Sequence, residues 1–132
     1  MQWDDSPAAG FSAGTPWLGV NPNHSWLNAA AQRGRPDSVY AHYRALIRLR
    51  HTDPVVVDGD FTMILPEHPS VYAFRRSLGD RHLVVWANLS DERVVESLPD
   101  GWDRGELVLT NLRGGPAGPG LAPWEARILR LG

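Results

Sequence analysis

Residues 37–54 read DSVYAHYRALIRLRHTDP. Val39, Tyr43, Leu46 and Ile47 recur at the i, i+4, i+7, i+8 spacing of one helix face, so the stretch predicts a helix. Asp37 or Ser38 can cap its start, and Arg48 and Arg50 fall in its last turn, where cations favour the helix dipole. Pro54 stops it, because a residue that precedes proline resists the helical conformation. Tyr40 and Leu49 flank the apolar stripe and make it wide, which implies contact with more than one neighbouring element. This is the only long helical pattern in the chain, and the composition changes on both sides of it.

Before it, residues 1–36 show no sustained period. Pro7, Gly10, Gly14, Pro16, Gly19, Pro22, Gly34 and Pro36 punctuate the segment as loop. A structureless run this long is unusual inside a compact domain. Disorder does not fit, because Trp3, Phe11, Trp17, Leu18, Val20, Trp26 and Leu27 are too apolar. Two readings stand: a loop that packs its aromatics on a body, or a wall of a sugar site where indoles stack and Asp, Asn and Gln bond hydroxyls.

After the helix come short runs that read as strands: 61–65, 71–78, 82–89, 92–98, 106–112 and 125–131. Leu83-Val84-Val85-Trp86-Ala87 is continuously apolar and predicts a central strand covered on both faces. Gly79-Asp80 predicts the hairpin turn before it, and Asp58-Gly59 another tight turn. Residues 114–120, GGPAGPG, are rich in turn formers. Strands at about 8–12-residue spacing argue an antiparallel sandwich or meander, closed by the final run PWEARILRL. The expected class is therefore mainly β.

The balance of 132 residues is one domain, or a small domain with an extension. A net charge of −2 offers no electrostatic footprint for nucleic acid or an anionic membrane. The absence of cysteine excludes disulfides, thiol catalysis and cysteine zinc sites. No run reaches the ~18 apolar residues of a spanning helix, and no signal peptide is recognisable, so a cytoplasmic location is expected. All 13 basic residues are arginine, a composition that points to a GC-rich bacterial genome.

The string MQWDDSPAAGFS, followed by GTPWL, VNPN, the 37–54 helix and Pro54, Gly59, Asp60 and Phe61, resembles the α-glucosidase branch of the α-amylase superfamily, glycoside hydrolase family 13. Oligo-1,6-glucosidases, maltases, sucrose isomerases and trehalose synthases share this pattern. The match is close over residues 1 to 61 and looser through VYAFRR, LVVWANLS and PWEARILRL. The resemblance implies a (β/α)8 barrel followed by a C-terminal β-sandwich. Residues 1–54 would be the loop after the eighth barrel strand plus the last barrel helix, and 55–132 the sandwich. Gln2, Trp3 and Asp4 would lie on the barrel face that carries active sites. The family's catalytic acids, and an arginine that precedes its Met-Gln-Trp, would belong to the absent barrel. The resemblance thus implies a non-catalytic C-terminal piece of a retaining enzyme acting on small α-linked oligosaccharides. An isomerase or transglycosylase on the same scaffold, or a stand-alone sugar-binding or interaction module, are the alternatives. The expected partners are the barrel and, in the intact enzyme, an oligosaccharide.

A retaining glycosidase needs two carboxyl groups about 5–5.5 Å apart. Asp4 and Asp5 are adjacent, so their side chains diverge, and Asp5-Ser6-Pro7 reads as a cap or turn. His24, His42, His51, His68 and His82 lack metal spacing, and Asp58-Gly59-Asp60 lacks the later ligands of a calcium loop, so no metal or cofactor is expected. Arg75-Arg76 is too small a cluster for nucleic acid. Asn88-Leu89-Ser90 fits a glycosylation sequon, and Trp102 and Trp124 are the loop tryptophans that could form a sugar platform. With the barrel absent, the helix stripe should be covered by the β unit, by the tryptophan-rich loop, or by a second copy meeting Tyr43, Leu46 and Ile47.

Overall fold

The computed structural model describes residues 1–115 and 119–132; residues 116–118 of the turn-rich 114–120 stretch lie outside the described residues. The chain divides into two compact units, Met1–Arg48 and Leu49–Gly132.

The first unit is mostly loop, but it contains two short helical turns that its lack of period conceals. A 3₁₀ turn at Pro22–Ser25 is capped by Asn21, and helix α1 (Ala29–Arg33) is capped by Asn28, whose side chain accepts from Ala31 at 2.8 Å. Both begin with an asparagine, a strong N-cap whose carbonyl satisfies an orphan amide of the first turn. Helix α2 spans Val39–Thr52, the predicted long helix, and crosses the boundary between the units. Ser38 rather than Asp37 caps it, accepting from Ala41 at 3.1 Å. Gln32 reaches the same end and accepts from the Tyr40 amide at 3.1 Å. No residue of α2 is buried. The expectation that this chain covers the stripe is therefore corrected: Leu46 is half-buried, but Tyr43 is 62% exposed and Ile47 55%.

The second unit opens with helix α3 (Pro54–Asp58), where a tight turn at Asp58-Gly59 was expected. Pro54 does stop α2, but it also starts α3 as a first-turn proline, where its missing N–H is no loss. Five strands follow: β1 (Asp60–Ile64), β2 (Val71–Leu78), β3 (Arg81–Asn88), β4 (Glu106–Thr110) and β5 (Ala126–Leu131). They form one antiparallel sheet in the order β1-β2-β3-β5-β4, so the unit is mainly β as expected. The apolar run in β3 is its central strand, with Leu83, Val84 and Trp86 buried. The β2–β3 hairpin turns at Gly79-Asp80, with Leu78 opposite Arg81.

The core lies on the sheet face of Val71, Ala73, Val84, Trp86 and Leu129. Val94, Leu98 and Leu121 close it from the far side, with Trp102 packed at the margin. This second layer is irregular. Residues 92–98, expected as a strand, form among the described residues one isolated bridge, between Val94 and Leu121, in place of a ladder. Pro119 and Pro123, two residues to either side of Leu121, lack the N–H groups that would carry a ladder on from this bridge. The buried Asn88 amide donates to the carbonyls of Glu92 (2.6 Å) and Ala122 (3.0 Å) and draws both segments over the core. Gly120 permits the crossing: it sits at φ +72°, and a Cβ there would lie 2.1 Å from the Val94 carbonyl oxygen.

Candidate functional site

The Met-Gln-Trp-Asp segment is held by its own unit. The Gln2 and Trp3 carbonyls accept from the Ala29 and Ala30 amides, each at 2.9 Å, and so meet the first turn of α1. The Gln2 side-chain amide donates to the Leu27 carbonyl. That bond commits one end of Gln2 to the backbone and fixes the side chain along the loop. The Trp3 amide donates to Ala9 at 2.9 Å, closing residues 3–9 into a compact turn. Ala9 is fully buried there in the left-handed region, and Gly10 follows at φ +72°. A Cβ at Gly10 would meet Trp3 Cβ at 2.8 Å and Asp4 Oδ2 at 2.9 Å. The turn closes only because this position is bare.

Asp4 is the residue that shapes the turn, where Asp5 was expected to do so. Its Oδ1 accepts from the Ser6 hydroxyl (2.5 Å) and the Ser6 amide (3.0 Å), an Asx turn. The Ser6 hydroxyl in turn accepts from the Gly10 amide at 3.0 Å. The Ser6 hydroxyl bond first, then the Ser6 amide and the field of His24, hold the Asp4 carboxyl below its ordinary value of 3.8, against a smaller opposing effect of burial. A half-buried, ionised carboxylate that only accepts hydrogen bonds can position a loop or receive a hydroxyl donor. It is a poor proton donor, because a general acid must hold its proton near neutral pH.

Beside this turn lies an open cleft of about 570 Å³ lined by residues 11–12 and 15–21 together with Met1 and Gln2. Trp17 stands at it 92% exposed. A second cleft, about 490 Å³, runs between Met1, Gln2, Leu27 and the Val39, Tyr40 and Tyr43 side of α2. Gln2 therefore borders both clefts, whereas Trp3 and Asp4 face the 3–10 turn and line neither.

The buried carboxylates are structural. Among the described residues the buried ones are Asp53 and Glu125. Asp53 caps α3 through the Val55 amide (3.0 Å) and pairs with Arg130 at 2.9 Å and Arg81 at 3.5 Å. Glu125 pairs with Arg127 at 2.6 Å, accepts from the Ala122 amide at 2.7 Å, and lies in the core. Both are committed to an arginine and a backbone amide, so neither can act as a nucleophile. Among the described residues no three His, Cys, Asp or Glu side chains come together as a metal site, and no helix is long and apolar enough to cross a membrane.

Two other sequence candidates change character. Asn88, the sequon asparagine, is 1% exposed, and its amide nitrogen already donates twice, so the fold leaves it closed to modification. Trp102 is no open platform, because the Arg75 guanidinium lies 4.5 Å over its ring. Trp124 is exposed. The asparagine caps and the Asp4–Ser6 bond were missed, although Asn-Pro-Asn, Asn-Ala-Ala and Asp-x-Ser are all side-chain-to-backbone signals.

Comparison with known proteins places these units. Residues 1–59 match the model of the α-amylase catalytic domain, and residues 61–119 match the C-terminal domain of maltogenic amylase. The oligo-1,6-glucosidase of Parageobacillus thermoglucosidasius is 40% identical over 137 residues, an alignment that covers 99% of this chain and 24% of that protein. A trehalulose synthase crystallised with Tris superposes with a TM-score of 0.88 at 38% identity, covering 98% of this chain and 24% of its own. The isomaltulose synthase of Klebsiella sp. LX3 gives 0.87 at 33%, covering 99% and 24%. The chain thus spans about a quarter of the length of the relatives it matches. A turn-closed Met-Gln-Trp-Asp loop, a long helix and an antiparallel β unit, in the order of a catalytic domain followed by a C-terminal domain, make this chain similar to the corresponding quarter of the oligo-1,6-glucosidases of the α-amylase superfamily.

Proposed function

We propose that the chain is the C-terminal part of a retaining α-glucosidase acting on small α-linked gluco-oligosaccharides. In that enzyme it supplies an outer loop of the active site and a structural β domain, and it performs no bond cleavage itself. The observation that carries this reading is the commitment of both buried carboxylates to arginines, beside a loop that belongs to the catalytic-domain match. Gln2, Trp3 and Asp4 act as loop-positioning residues. Gln2, bordering both clefts, is the one nearest a sugar, and Asp4 holds the turn. The missing partner is the rest of the barrel.

The test is direct. The purified chain releases no p-nitrophenol from p-nitrophenyl α-glucoside, and maltose or isomaltose causes no saturable change in its tryptophan fluorescence. Enzyme-dependent release would overturn the assignment of catalysis to absent residues. Saturable binding would favour a stand-alone sugar module, with Trp17 as the indole exposed to report it. A second reading, an isomerase of the sucrose type, is favoured by the trehalulose and isomaltulose synthase likenesses. Product analysis of the completed enzyme on sucrose separates the two: glucose and fructose indicate hydrolysis, a rearranged disaccharide isomerisation.

A further inference from the structure

A groove of about 220 Å³ in unit one is walled by arginine. Tyr40, Arg44 and Arg48 stand one turn apart along α2, Arg33 of α1 lines the same groove, and the half-buried Ala41 and Ala45 complete it. The two helices that form it are already joined. Gln32 accepts from the Tyr40 amide at 3.1 Å, and the Ser38 hydroxyl donates to the Gln32 carbonyl at 2.8 Å, so α1 is tied to the start of α2 one residue from Arg33. The charge in the groove is unbalanced. Among the described residues no Asp or Glu lines it, and α2 carries Arg44, Arg48 and Arg50 with no acidic residue. The Arg33 and Arg44 side chains form no ion pair or hydrogen bond among the described residues, whereas Arg35 pairs with Asp37, Arg81 and Arg130 with Asp53, and Arg127 with Glu125. Like charges one turn apart destabilise a helix, so α2 loses stability by keeping Arg44 and Arg48 together without a counter-charge.

We propose that this groove binds a phosphoryl group, held as a dianion among the guanidinium groups of Arg33, Arg44 and Arg48. Guanidinium forks match phosphate oxygens, and each fork can bond a pair of them. Cations contributed by two helices suit an anion with acceptors on several sides. A planar carboxylate is satisfied by a single fork and would leave the other arginines unmatched. A phosphate ion fills only part of the groove, which leaves room beside Tyr40 for a small neutral group esterified to it. The Tyr40 hydroxyl has no partner among the described residues and is a donor suited to such a group. Free phosphate and a phosphate monoester share the chemistry that the arginines recognise. This site is distinct from the cleft beside Trp17, and it stands whether or not the chain belongs to an α-glucosidase.

The full chain is titrated with inorganic phosphate and with glucose 6-phosphate, and binding is read by calorimetry and by the NMR signals of the arginine Nε–H groups. Saturable binding in the millimolar range or tighter is expected. The Arg33 and Arg44 signals should move, and that of Arg35, which pairs with Asp37 outside the groove, should not. Arg33→Gln and Arg44→Gln each weaken binding by about tenfold, as loss of a charge-assisted hydrogen bond does. Arg44→Lys keeps the charge but not the fork, and weakens it less. Arg35→Gln leaves it unchanged, and added potassium chloride weakens it. Because all three arginines are exposed, an unchanged far-UV spectrum of each variant checks that the fold persists. Tighter binding of glucose 6-phosphate than of phosphate identifies the ligand as an ester, and equal affinity identifies it as the free ion. Heat that rises without saturation overturns the proposal. So does binding that both Arg33→Gln and Arg44→Gln leave intact, or glucose alone binding as tightly as its phosphate.

Discussion

Asp4 shows how much one side chain can organise. It accepts twice from Ser6, and Ser6 passes the restraint on to Gly10. Because the folded carboxyl titrates below its ordinary value, the contribution of this bond is present above about pH 4 and is lost as pH falls through the folded value. Carbon-detected NMR of the Asp4 carboxyl should show a midpoint below 3.8, and Ser6→Ala, which removes the largest cause, should return it towards 3.8. Gly10→Ala meets both a positive φ and two close atoms, so it should open the turn at a cost of about 1–3 kcal/mol, read as loss of protection at the Trp3 amide. The role of Asp4 was only half legible in the sequence. Asp-Asp-Ser-Pro announces a turn, but which carboxylate accepts depends on where Gly10 brings the chain back.

Among the elements, α2 and the β2–β3 hairpin were readable from period and turn chemistry alone. Two elements of the β unit show why others were not. Helix α3 hid behind Pro54, which ends one helix and begins the next, with Asp53 as the cap between them. Residues 92–98 have strand composition but hold a single bridge among the described residues, because Pro119 and Pro123, either side of Leu121 on the facing segment, carry no N–H to extend a ladder. The joint at Asp53 ties α3 to β5 across 77 residues. Asp53→Ala removes a cap worth about 1 kcal/mol. It also removes a pair with Arg130, whose side chain is 34% exposed, so solvent screening holds that term to about 1 kcal/mol. Urea unfolding should therefore show a loss of about 2 kcal/mol, with a coupling to Arg130→Gln visible in a double-mutant cycle. Arg76 adds a second tie, donating to the Gly59 carbonyl at 2.5 Å and the Val55 carbonyl at 3.4 Å.

At the scale of the whole chain, the two units differ in kind. Residues 49–132 hold a real core, with Trp86 buried at its centre and Arg127 lying 5.6 Å over its ring. Residues 1–48 bury two alanines and one asparagine. Hydrogen exchange should follow this split: amides of β2, β3 and β5 exchange through global unfolding, and amides of unit one through local opening at little cost. Protection in unit one equal to that of β3 would contradict the contrast in burial. Trp86→Ala should destabilise the β unit by about 3–5 kcal/mol and leave exchange in residues 1–48 unchanged. The resemblance to the α-amylase superfamily was legible because the run from Met-Gln-Trp-Asp through Gly10-Phe11 to Thr15-Pro16-Trp17 is long and specific. The lack of a core in unit one was not, because its apolar residues argued against disorder but left open whether they pack on a body or wall a sugar site; Trp17 and Trp26 are exposed.

Strand β5 lies between β3 and β4, although it is the last strand in the sequence. β4 has no other partner in the sheet, so it waits for β5. During synthesis, therefore, the first three strands can form a meander as they emerge, but β4 leaves the ribosome with nothing to pair with. Until β5 is in place, β3 and β4 each present an open edge on which another chain can add a strand. Completion of the sheet thus rests on one six-residue strand, and a nascent β unit is most open to mispairing just before that strand emerges.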